Sequence, residues 1–165
     1  MRYLVIAEYL TTNTMIGRIS MLLLLSMLLA CASSKSIRTS TSTGKRAELF
    51  DETTFVVTEQ STDPTYGLTE GNPVKVGGAN EQEGPRNERR YLNALTGPQG
   101  QKISYYRLGS CCSFKTENGF LGEGLLDNYR VTWEGSADTV SIYINMYDFG
   151  DLKAPVGFGL KNPGN

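Results

Sequence analysis

The chain contains no histidine. That absence excludes Ser-His-Asp and Cys-His catalysis within the chain and removes the commonest side-chain ligand for transition metals. Cysteine is scarce too, with three in 165 residues, and there is a single tryptophan. No apolar run reaches the roughly 20 residues that a helix needs to cross a bilayer. Charge of one sign does not dominate either, since 16 basic and 17 acidic side chains leave a net charge of −1. What charge there is falls unevenly. Residues 32–46 carry only Lys35, Arg38, Lys45 and Arg46, whereas from Ala47 onward there are ten basic and sixteen acidic residues. An acidic body lacks the basic footprint of a nucleic-acid binder, so no nucleic acid is expected as a partner. No cofactor or metal is expected.

Against these absences stands one apolar stretch, residues 21–31, which reads MLLLLSMLLAC. An export signal needs a positive start, an apolar centre of roughly 7–15 residues and small residues at the cut. Arg18, residues 19–29 and Ala30 supply the three parts. The ending Leu28-Leu29-Ala30-Cys31 resembles a bacterial lipobox, in which the cysteine is acylated and becomes the mature N-terminus. The expectation is therefore a signal peptide over 1–30, a palmitate-type lipid on Cys31 and a membrane anchor. Residues 1–14 carry Glu8 and an apolar patch of their own, which suits a signal start poorly. Met15, followed by Ile16-Gly17-Arg18, is the expected point of translation initiation. Residues 33–44 are low in complexity and rich in Ser and Thr. With the cations beside them they read as a tether over 31–46, solvated or held near an anionic bilayer surface. A single domain is expected over 47–165.

Within that domain the pattern predicts α+β: a small, mostly antiparallel β-sheet with one short helix at about 85–95. Pro85 suits the first helical turn, because its missing N–H has no intrahelical partner there. Leu92 with Leu95 forms an apolar stripe, and Gly97-Pro98 is the expected stop. Strands are expected at 54–58, 74–76 and 102–110, then a Gly-rich loop through Gly119, Gly122 and Gly124. A hairpin of 128–134 with 139–147 follows, turning at 135–138. Tyr129, Val131 and Trp133 share one face in its first strand, as do Val140, Ile142, Ile144 and Met146 in its second.

The blocks DPTYGLTEGNPVKVGG (63–78), GPRNERRYLNAL (84–95), SYYRLGSCCSFK (104–115) and YINMYD (143–148) resemble, in this order, a family of small lipoproteins from Bacteroidetes-type bacteria. The resemblance spans most of the chain after Cys31 and implies a cell-envelope address, without bringing a mechanism. Some members carry enzyme labels such as 2-dehydro-3-deoxyphosphooctonate aldolase. That activity belongs to a barrel of about 250 residues, which this domain is too short to form, and a pyridoxal-phosphate enzyme fails on length as well. In that group of bacteria, export to the cell surface is associated with acidic residues just after the lipidated cysteine. Cys31 is followed by Ala32-Ser33-Ser34-Lys35-Ser36, which implies an outer-membrane lipoprotein facing the periplasm.

With Cys31 committed to lipid, Cys111 and Cys112 remain, adjacent and in an oxidising compartment. On a regular strand their side chains diverge. A bend after Gly109-Ser110 permits a disulfide between them. Separate thiols or an intermolecular bridge are the alternatives, and a redox enzyme using the pair is the alternative function. Arg86, Arg89 and Arg90 gather near the expected helix start, where an anion such as a phosphate, lipid or glycan acid can dock. The simpler account is a solvated helix face with Glu88 balancing the charge. Asp148, Gly150 and Asp151 suggest a side-chain-stabilised turn more than a Ca²⁺ loop, since EF-hand spacing is absent. Glu123 and Asp127 form a nominal acid/base pair. Tyr105, Tyr106, Tyr129, Tyr143, Tyr147 and Trp133 offer stacking surface for a sugar or an envelope protein, or simply core packing. The leading expectation is a non-enzymatic, membrane-anchored binding or structural protein.

Overall fold

Two strands of very different length dominate the architecture. The computed structural model describes residues 44–161. The signal peptide, the Met15 start, Cys31 and most of the 31–46 tether lie outside the described residues. Strand β5 (Ile103–Phe120) runs for 18 residues and pairs antiparallel with β6 (Glu123–Trp133). β6 in turn pairs antiparallel with β7 (Val140–Asn145). A two-residue strand, β3 (Val74–Lys75), closes the other edge in parallel with β7, so the sheet order is β3-β7-β6-β5. Two small antiparallel pairs flank it: β1 (Leu49–Asp51) with β2 (Thr54–Phe55), and β4 (Leu95–Thr96) with β8 (Gly159–Leu160). Among the described residues one helix, α1 (Gly84–Leu92), completes the α+β fold.

The helix packs on the face of the sheet predicted to be apolar. Tyr91 and Leu92 are fully buried, as are Val131, Ile142 and Ile144, and Tyr129 is 3% exposed. Trp133, Val140 and Met146 are half-buried against the same core. Each fully buried aliphatic side chain contributes about 1.5–3 kcal/mol of hydrophobic stabilisation. Trp133 meets Phe158 edge-to-face at 5.4 Å between ring centroids, which ties the C-terminal segment to the sheet.

Three local expectations need correction. The helix stops at Leu92 with Asn93 as its C-cap, and does not continue to Leu95. Leu95 is buried as the stripe requires, but from β4, because pairing with β8 satisfies its backbone in place of another helical turn. The strand over 54–58 is a ladder of two residues, and its partner β1 was not anticipated. Most consequentially, the Gly-rich loop is mainly strand. β5 continues past Ser110 to Phe120 and β6 already begins at Glu123, leaving Leu121-Gly122 as the turn. Register shifts at 107/109, 111/113 and 115/120 explain why a period-two reading missed it. Each bulge reverses the inside–outside alternation, so no continuous alternating pattern exists to be read.

Candidate functional site

The two bulges in β5 do more than bend a strand. Arg107 pairs with Tyr129 and Gly109 with Asn128, so Leu108 is the extra residue. Without it, Arg107 and Ser110, three apart, would face opposite sides of the sheet. With it, both reach Asp127. Arg107 grips the Asp127 carboxylate with Nε at 2.5 Å and Nη2 at 2.8 Å, and Ser110 Oγ donates to it at 2.9 Å. The Asp127 side chain is 4% exposed while that of Arg107 is 46% exposed, so the guanidinium caps a buried carboxylate.

Glu88 comes to the same place from α1. It is fully buried. Tyr129 Oη donates to its Oε2 at 2.9 Å, while Oε1 is buried with no hydrogen-bond partner. Burial first, and the Asp127 carboxylate second, push the Glu88 carboxyl up to about 8, against opposing pulls from the Tyr129 hydroxyl and Arg107. Arg107 thus holds the Asp127 carboxylate while Tyr129 holds Glu88.

Glu88 therefore does not balance the arginines on a solvated face. Glu83 does that, accepting from Arg86 at 3.0 Å and Arg90 at 2.7 Å. Arg90 also donates to Asn87 Oδ1 and to the Glu52 carbonyl. Only Arg86 lies in the first turn of α1. Arg89 and Arg90 lie in the last, where they complement the negative end of the helix dipole and add nothing to an N-terminal anion site. The three arginines nonetheless line one open depression of about 650 Å³, with Glu52, Thr53, Asn93 and Tyr105. Arg89 is exposed and makes no ion pair among the described residues. Tyr105 Oη donates to Asn93 Oδ1 at 2.7 Å, which leaves the Asn93 amide donating to the Thr53 carbonyl.

The second bulge carries the cysteines. Cys111 pairs with Leu126 and Ser113 with Leu125, so Cys112 is the extra residue, at a positive φ of 55°. The reversal brings adjacent sulfurs together, and Cys111 and Cys112 form a disulfide. Both residues are half-buried.

Other candidates are dispersed. Glu123 pairs with Lys115 at 2.5 Å and is exposed. Four residues along one strand, roughly 13 Å, separate it from Asp127, and no acid/base pair results. Asp148 is buried and accepts from Thr116 Oγ1 at 2.6 Å, Asn118 Nδ2 at 2.9 Å and Asn145 Nδ2 at 2.9 Å. The Asp151 backbone carbonyl accepts from the Tyr66 hydroxyl, and the Gly150 N–H donates to the Lys75 carbonyl. This is a structural corner. No cluster of three or more Cys, Asp or Glu placed to hold a metal occurs among the described residues. Tyr129 belongs to the core and meets Tyr105 edge-to-face. Tyr147 meets Phe114 in the same way, and Tyr106 is 57% exposed.

Sequence reasoning overlooked Arg107 and Ser110, whose meeting depends on a bulge. It had a signal for Glu88, which stands one turn before Leu92 on the apolar stripe. A carboxyl on that stripe is a buried carboxyl. Comparison with protein-family models, with curated proteins and with solved structures finds no match. No helix among the described residues is long and apolar enough to cross a membrane.

Proposed function

We propose that this protein is an envelope lipoprotein, anchored through a lipid on Cys31 and facing the periplasm, whose folded part binds a partner without transforming it. The ligand chemistry is an anionic group, carried by a glycan or an envelope protein, received in the depression at Arg89. One observation carries the binding reading: the depression is rich in donors, while Asp127, Glu123, Asp148 and the two sheet cysteines are engaged elsewhere. Its wall presents three guanidinium groups and one carboxylate, Glu52. Asp127 is gripped by Arg107, Glu123 by Lys115, Asp148 by Thr116 and two amides, and Cys111 by Cys112. A nucleophile beside a base is the recurrent need of covalent catalysis, and the Tyr105 hydroxyl in the depression donates to the Asn93 amide oxygen instead of to a base. Arg89 is the side chain placed to make a charge-assisted contact with a carboxylate or phosphate.

Two measurements test this. Titration of the protein with inorganic phosphate and with a uronic acid should give saturable binding that Arg89→Ala abolishes. Identical isotherms for the variant and the wild type would overturn the ligand site. Metabolic labelling with a palmitate analogue should be lost in Cys31→Ser, and label retained in that variant would overturn the anchor.

The disulfide supports a second reading, thiol–disulfide exchange at Cys111 and Cys112. It requires the pair to cycle in a defined redox buffer without unfolding the domain. A pair that stays oxidised until the fold is lost would remove it.

A further inference from the structure

The β5–β6 turn is built against its own stability. The Gly122 N–H donates to the Gly119 carbonyl across Phe120 and Leu121, at 3.3 Å. Leu121 adopts φ 53° in that turn, a left-handed conformation that costs a side chain with a Cβ and is ordinarily left to Gly or Asn. Phe120 and Leu121 are also the most exposed large apolar residues of the described chain, at 84% and 85%. Neither strain nor exposure serves the core. The shoulders of the turn are polar: Glu117 is exposed, and Glu123 is neutralised by Lys115.

The position of this tip is as telling as its composition. Gly44, where the described chain begins, donates to the Phe149 carbonyl at 3.1 Å, and the Arg46 guanidinium lies over the Phe149 ring. Next to Phe149, Asp148 holds Thr116 and Asn118, two residues before the tip. Gly44 and Arg46 thus lie at the end of the domain that carries Phe120 and Leu121. Twelve residues lie between Cys31 and Gly44, a length of chain that spans at most about 45 Å. A lipid on Cys31 would hold this end of the domain, with Lys45 and Arg46, near the bilayer.

We propose that Phe120 and Leu121 insert into the phospholipid surface that anchors the chain, so that the domain rests on the membrane in one orientation. This inference rests on the lipid-anchored reading. An aromatic and an aliphatic side chain on a rigid turn suit the interfacial zone, with the polar shoulders at headgroup level. The anchor supplies retention and the tip supplies orientation, which leaves the Arg89 depression at a fixed disposition to the bilayer.

The test uses the full chain purified from its membrane and added to mixed phosphatidylethanolamine–phosphatidylglycerol vesicles whose acyl chains are brominated near the headgroup. In Phe120→Trp the introduced indole should lose most of its emission. Wild-type emission, from Trp133 packed on Phe158, should be unchanged and serves as the baseline. Adding Leu121→Asp to Phe120→Trp should restore the emission. Mass spectrometry of the same preparation shows whether Cys31 is acylated. Quenching supports insertion whether or not Cys31 is acylated. An acylated, vesicle-bound chain with no quenching overturns the tip and spares the anchor. Quenching without acylation overturns the anchor and spares the tip, and the absence of both overturns both.

Discussion

The Tyr129 hydroxyl donates to Glu88 Oε2 at 2.9 Å, joining the helix to the centre of the sheet through a buried carboxyl whose other oxygen has no hydrogen-bond partner among the described residues. Burial of this carboxyl, against the pull of the Tyr129 hydroxyl, makes the stability of the domain depend on pH in an unusual direction. Most proteins lose stability in acid because native carboxylates must be protonated. Here one acid binds its proton more tightly in the folded state than in the unfolded one.

Glu88 moves from an ordinary 4.5 up to about 8 on folding, so its contribution is complete below 4.5 and lost as pH rises through about 8. Denaturant unfolding of the wild type should therefore show a fall of a few kcal/mol across that window. Glu88→Gln keeps an acceptor for Tyr129 and removes the titrating proton. It should flatten the profile and be more stable than the wild type above pH 8. A profile parallel to that of the wild type would show that Glu88 is not the titrating group.

Leu92 is fully buried in the last turn of α1. Leu92→Ala should cost about 2–5 kcal/mol, from lost transfer energy and the cavity left behind. The check is the denaturant midpoint at unchanged slope.

Leu121→Gly removes a left-handed leucine that touches little, so it should raise stability by roughly 1 kcal/mol. A higher melting temperature combined with weaker membrane insertion would mark Leu121 as kept for a surface and not for the fold. A lower melting temperature would mean that the side chain packs in the native state.

The native chain should carry two hydrogens fewer than its dithiol form, with both cysteines in one peptide and no intermolecular bridge. Mass spectrometry with and without reductant reads this directly. Cys112→Ser should leave Cys111 as a free thiol, and the bulge should persist, because register on both sides is set by the β6 partners Leu126 and Leu125. Loss of those pairings by amide exchange would show that the disulfide makes the bulge.

The 128–134 and 139–147 hairpin was legible because Tyr129, Val131, Ile142 and Ile144 repeat every second residue over an unbroken ladder. The helix start was legible at Pro85, and its end was not. Nothing within residues 84–95 reveals that β8, more than sixty residues on, will pair with Leu95. The strand character of 111–120 was hidden by bulges, which reverse the alternation that betrays a strand. The arginines were legible as a group, but their partner Glu83 was not distinguished from Glu88. Side-chain reach decides that pairing, and it follows from how the helix is rotated against the sheet.

Local chemistry and spacing alone determined the class of the fold, one helix on a mostly antiparallel sheet, and the residues of its central core. They also determined what the chain cannot do with histidine it does not have. Periodicity and composition are local properties, and these are the features local properties control. Only the tertiary structure decided that Arg107 and Ser110 converge on Asp127, that adjacent cysteines close on each other, and that Glu88 keeps a proton near neutral pH. The tertiary structure alone also placed Phe120 and Leu121 at the end of the domain where Gly44 and Arg46 lie. Each of these depends on register between strands distant in sequence, where one extra residue exchanges the two faces of a sheet.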